Sequence, residues 1–195
     1  MHILKRAFAP LLLLLSGLGL QAQEPWDGGF KLTSASFSGA AEAYLGQDRA
    51  YGLAIFGTYP LGRSASLAFE GGYKFLPSTT HGFASTSWDD KSDGYYGSAF
   101  YQHRLWADGF YLQGGLRLAQ YVAVRRANFS PGDGSSVLTT YHGNYTTTLK
   151  PVLGAGYRMN AKYSLELNLV PTEMKNVDGQ SKTGTMVELA LLVHL

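Results

Sequence analysis

From Gly29 to Leu195 the chain repeats one pattern. Segments of nine to fifteen residues, alternating between large apolar and small or polar side chains, are separated by connections that run long, short, long, short. Successive residues of a β-strand point to opposite faces, so a period of two writes one apolar and one polar face along each segment. Eight strands are predicted: Gly29–Phe37, Tyr51–Leu61, Ala65–Leu76, Tyr95–Leu105, Phe110–Val124, Tyr145–Met159, Tyr163–Thr172 and Met186–Leu195. Most reach the roughly 9–11 residues that a tilted strand needs to cross a bilayer. The long connections are Ser38–Ala50, Pro77–Gly94, Arg125–Asn144 and Glu173–Thr185, and the short ones are Gly62–Ser64, Trp106–Gly109 and Asn160–Lys162. Alternating long loops and tight turns are the connection pattern of an up-and-down membrane barrel.

The faces settle the expected orientation. Leu165, Leu167 and Leu169 oppose Ser164, Glu166 and Asn168; Val187, Leu189, Leu191 and Val193 oppose Glu188, Ala190 and His194. A narrow closed barrel has little interior room, so the faces rich in Gly, Ala, Ser and isolated charges belong inside. Lipid accepts the Leu, Tyr and Phe faces and penalises Lys or Arg at the midplane by about 2–4 kcal/mol. The lumenal charge set is then Lys31, Glu70, Lys74, Arg104, Arg117, Lys150, Arg158, Glu166 and Glu188, expected to pair because an isolated buried charge is very costly. Tyr51, Phe75, Tyr95 and Tyr145 fall near loop ends of strands, and Tyr59, Tyr101, Phe110, Tyr157 and Tyr163 near turn ends, the placement of interfacial aromatic girdles. Pro151 interrupts a strand where it has no N–H to give, and His103 and Gln120 fall on lipid faces.

Residues 1–22 read as a cleavable secretory signal: Lys5 and Arg6 precede an apolar stretch from Phe8 to Leu20 that is short for a membrane span. Residues 23–195 form one barrel domain. Without Lys5 and Arg6, 14 of the 16 basic side chains remain against 14 acidic ones, so no basic surplus argues for nucleic acid. Charged residues make up only 15% of the chain, well below the quarter usual in soluble domains. The chain has no Cys, which removes disulfides and lipid attachment through a cysteine.

No cofactor or metal pattern occurs. His81 lies among Ser78, Ser85, Ser87, Asp89 and Asp90, residue types suited to acyl transfer, but Ser- and Asp-rich loops produce that company readily, and no catalytic residue is assigned.

The chain resembles the small outer-membrane barrels of the OmpA/OmpX and opacity-protein type. The resemblance rests on the strand and loop plan and on the C-terminal strand Met186–Leu195, where Val187, Leu189, Leu191, Val193 and Leu195 keep the family's alternation, with Leu195 in place of the usual terminal aromatic. It implies an all-β, eight-stranded antiparallel barrel in a bacterial outer membrane, in contact with its lipid and lipopolysaccharide. It also implies that the last strand is read by the barrel-assembly machinery. The implied role is non-enzymatic: envelope integrity, adhesion or surface interaction through the loops, with Tyr44, Phe83, Trp88, Phe129 and Tyr141 as candidate contacts. A narrow carrier for small hydrophobic molecules is the alternative, and a lipid-modifying enzyme a more distant one.

Overall fold

The computed structural model describes residues 26–39, 49–75, 79–83, 86–105, 109–129, 137–142, 146–175 and 181–195. The signal segment and Tyr44 lie outside them, as does Tyr145. The strands are β1 (Asp27–Gly39), β2 (Arg49–Pro60), β3 (Ala65–Phe75), β4 (Thr79–Phe83), β5 (Thr86–Arg104), β6 (Phe110–Phe129), β7 (Val137–His142), β8 (Thr146–Arg158), β9 (Tyr163–Lys175) and β10 (Ser181–His194). Eight of them close a ring: β1 pairs β2, then β3, β5, β6, β8, β9 and β10 follow, and β10 returns to β1, every pairing antiparallel. Closure gives every ring strand a partner on both sides, as hydrocarbon demands of a sheet, with the β8–β9 pairing the shortest at six pairs. The remaining two, β4 and β7, fold back on β5 and β6 outside the ring.

The expected loops at 77–94 and 125–144 are corrected here. The β5–β6 ladder runs unbroken through 19 pairs, from Thr86 opposite Phe129 to Arg104 opposite Tyr111. With β4 and β7 on its flanks it makes a four-stranded sheet beyond the barrel's loop end. Thr79, Thr80, Thr86, Val122, Val124, Val137, Thr139 and Thr140 supply the β-branched residues that favour this. Residues 79–93 and 125–142 show no sustained apolar alternation, so the period-two pattern could not reveal these strands.

Leu53, Ile55, Leu118, Leu149, Leu153 and Leu189 are 47–66% exposed on the outside, while Lys31, Lys74, Arg117 and Glu188 are at most 1% exposed inside. The outer surface is therefore the apolar one. Rings pair along its rims: Tyr51 with Phe75 at 5.9 Å and Tyr73 with Tyr95 at 5.0 Å toward the loops, Phe110 with Tyr157 at 4.5 Å at the turns. His103 and Gln120 do face outward, with no bulge between them. Both sit at rims, His103 stacked on Tyr101 at the turn end and Gln120 in register with Tyr95 at the loop end.

The turns are tight. Asn160 Oδ1 accepts from the N–H of Lys162 (2.8 Å) and of Tyr163 (3.0 Å), bending the chain between β8 and β9. Gly109 takes φ +90°, and a Cβ there would stand 2.6 Å from the Arg158 carbonyl oxygen. Gly29 pairs with His194, so both ends of the barrel domain meet at the turn end.

Candidate functional site

Inside the ring the small residues come first. Ala50, Gly52 and Ala54 of β2, Gly72 of β3, and Gly154 and Gly156 of β8 leave the room that long side chains from other strands occupy. A Cβ on Gly52 would press on Lys74, one on Gly154 would collide with Asn168, and one on Gly156 with the Tyr111 ring.

Into that space project three cations and three carboxylates. Lys31 of β1 donates to Glu70 of β3 (2.7 Å) and Glu166 of β9 (2.6 Å). Arg117 of β6 reaches Glu70 (2.7 Å) and Glu188 of β10 (3.1 Å), and its Nε donates to Ser98 (2.9 Å). Lys74 pairs with Glu188 and lies over the Tyr96 ring, 5.2 Å from its centroid; the Arg117 guanidinium is 4.5 Å from the same ring. Tyr111 donates to Glu166 (2.7 Å), and Gln102, Gln113 and Asn168 continue the chain of hydrogen bonds at 2.9 and 2.7 Å. Six formal charges cancel, and every one of the six has a partner of opposite sign. This is the condition under which a low-dielectric interior tolerates ions.

The structure thus brings together Lys31, Glu70, Lys74, Arg117, Glu166 and Glu188. The other three residues of the expected set stand apart. Arg104 is exposed at the turn end, where β5 finishes. Lys150 is part-exposed and lies 3.8 Å from Glu173. Arg158 pairs with Asp27 at the turn-end mouth. Arg104 and Arg158 lie at strand ends, and strand-face parity carries no information about depth; Lys150 is in register with Arg117 but turns toward Glu173. Sequence reasoning also missed Tyr96, Tyr111, Ser98, Gln113 and Asn168 as network members. Their inward parity was available, but uncharged polar residues were not weighed with the ions.

Below the network, the turn end opens into a cavity of about 570 Å³ lined by Asp27, Phe56, Arg63, Arg104, Arg158 and His194 among others. On its wall Ser164 Oγ lies 2.7 Å from His194 Nε2, and His194 Nδ1 lies 2.7 Å from Asp27 Oδ1. The order is that of a Ser-His-Asp triad. However, Ser164 shows only 1% of its surface where it lines the cavity, and Asp27 is shared with Arg158. Among the described residues no group of three His, Cys, Asp or Glu is arranged to hold a metal ion.

The candidate contacts Phe83, Trp88 and Tyr141 fall on strands β4, β5 and β7 of the protruding sheet; their side chains lie outside the described set. Phe129 ends β6, exposed and in register with Val137, with exposed Leu138 beside it. Of the C-terminal set, Val187, Leu189, Leu191 and Val193 lie on β10 with Leu189 exposed, and Leu195 follows at the rim.

No family model matches the chain, and no curated protein matches it. Solved structures do. The attachment invasion locus protein Ail of Yersinia pestis, solved with the heparin analogue sucrose octasulfate, aligns over 88% of this chain and all of its own with a TM-score of 0.53 at 11% identity. Neisserial surface protein A aligns over 87% of this chain and 96% of its own at 17% identity, with a TM-score of 0.45. The N-terminal β-barrel domain of Pseudomonas aeruginosa OprF covers 87% and 97% at 14% identity, with a TM-score of 0.38. With the ring closed at eight strands, its apolar side outward and its charges paired within, the chain has the fold of the small eight-stranded outer-membrane β-barrels.

Proposed function

We propose that the chain is a non-enzymatic outer-membrane surface protein, in which the barrel is the anchor and the protruding sheet the contact surface. The observation that carries this reading is the 19-pair β5–β6 ladder. At about 3.3 Å per residue it is close to twice as long as a bilayer crossing of roughly 9–11 residues requires. The excess is ordered β-structure held away from lipid. Side chains fill the lumen below it, so the molecule presents a surface rather than a pore. Export through the segment 1–22, recognition of the C-terminal strand by the assembly machinery, and contact with lipopolysaccharide belong to the same reading.

The ligand class follows from the sheet's charges. Asp89 stands in register with Arg126 and Asp90 with Arg125, so the ladder carries no cationic surplus of the kind a sulfated glycan would need. The exposed apolar corner at Phe129, Val137 and Leu138 favours a protein partner. The test is binding of whole cells to host-matrix proteins, before and after trimming residues 79–92 and 124–142 to short turns. Binding should vanish while heat-modifiable gel mobility of the barrel persists. Undiminished binding by the trimmed protein would remove the sheet from the account.

A further inference from the structure

One stretch of the ring is not sealed. The β8–β9 ladder has six pairs, from Arg158 opposite Ser164 to Leu153 opposite Leu169. Every other ladder of the ring has at least ten. Neither strand ends there. β8 stays paired with β6 as far as Thr146, and β9 stays paired with β10 as far as Lys175. Two further steps of the same register would set Pro151 against Pro171, two residues with no N–H to exchange. Thr147 is in register with Gln120, which is in register with Tyr95 at the outer rim; Pro151 therefore lies four residues inside that rim, at hydrocarbon depth.

Two contacts run through the wall at this seam. Lys150 has inward parity with buried Val152, and Glu173 has outward parity with exposed Leu169 and Pro171, yet their charged atoms are 3.8 Å apart. A sealed sheet would separate them. A small cavity of about 20 Å³ is lined both by inward Lys74, Arg117 and Met186 and by outward Pro171 and Glu173. Thr172 Oγ1 is buried there without a hydrogen-bond partner.

We propose that this seam is a lateral binding site, open to the outer leaflet, for the carboxyl head of a long-chain fatty acid. The cavity admits a water-sized group, which suits one carboxylate oxygen with the rest of the carboxyl at its mouth and excludes a phosphoglycerol head. Lys150 retains ammonium donors beyond its long pairing with Glu173, and Thr172 supplies a free hydroxyl. The acyl chain lies along exposed Leu149, Pro151, Leu153 and Leu169. The charge network behind the cavity stops the ligand from passing into the lumen, so the site holds rather than transports. The inference rests on the membrane placement of the barrel proposed above.

The test is photo-crosslinking of a diazirine-bearing palmitate to the full mature chain in phosphatidylcholine nanodiscs. Adducts should concentrate on 149–153 and 169–171 and be competed by palmitate but not by methyl palmitate. The pair Lys150→Met and Thr172→Val should weaken labelling about tenfold, the loss expected for a charge-assisted hydrogen bond. Pro151→Val with Pro171→Val, which restores two N–H groups to the seam, should extend the ladder and also weaken labelling. Adducts spread evenly over the girth of the folded barrel would overturn the site while leaving membrane placement intact. Absence of adducts on any outward residue would overturn both.

Discussion

At the scale of single residues, the interior is held by pairing, and its members are not equivalent. Arg117 touches Glu70, Glu188 and Ser98, so Arg117→Met leaves Glu70 to Lys31 and Glu188 to Lys74, with one buried negative charge uncompensated. The loss expected for breaking a buried ion pair is about 3–5 kcal/mol, to be read as a lowered urea midpoint of the heat-modifiable band. Tyr96 gives the opposite expectation. Its ring lies under the Arg117 and Lys74 cations, but its hydroxyl is buried with no partner. Tyr96→Phe keeps the ring and removes an unsatisfied group, so stability in the same assay should change by less than about 1 kcal/mol or rise. From the sequence, Lys31, Glu70, Lys74, Arg117, Glu166 and Glu188 were legible as lumenal because each sits on a face of small residues. Which cation meets which carboxylate was not legible, because cross-barrel distances depend on stagger and tilt, which a strand's own pattern does not encode.

At the scale of elements, alternation located all eight ring strands, and where a strand departs from the pattern there is a physical reason. Pro151 interrupts a strand with no N–H to give, and β8 loses its β9 partner from Val152 outward while keeping β6. Residues 86–94 of β5 and 125–129 of β6, with β4 and β7, were read as loops because their Gly, Ser, Asp and Asn give them turn-like polarity. Two substitutions test the elements by different routes. Leu167 is 48% exposed to the lipid side of β9, and Leu167→Arg should cost about 2–4 kcal/mol if it lies near the midplane, against about 0–1 kcal/mol for Tyr59→Arg at the rim; refolding yields into vesicles measure both. Gly109 holds a left-handed backbone beside the Arg158 carbonyl, so Gly109→Val should cost about 1–3 kcal/mol and slow formation of the β5–β6 hairpin.

At the scale of the molecule, the chain divides into a central charged plug, an open mouth at the turn end and a protruding sheet at the loop end. The plug spans the lumen with its charges neutralised, so planar-bilayer recordings should show no stepwise conductance at neutral pH. Arg117→Ala with Glu188→Ala, which empties the centre of the plug, should introduce it. The polarity of the whole is inverted relative to a soluble barrel, and everything proposed for the sheet, the assembly strand and the seam depends on that inversion. The chain has no native Cys, so single-cysteine spin labels report it cleanly. Labels at Leu165, Leu167 and Leu189 in a reconstituted bilayer should be relaxed by oxygen, which partitions into lipid, and shielded from a water-soluble nickel chelate. Strong relaxation of the same three labels by the chelate, with oxygen ineffective, would contradict the account.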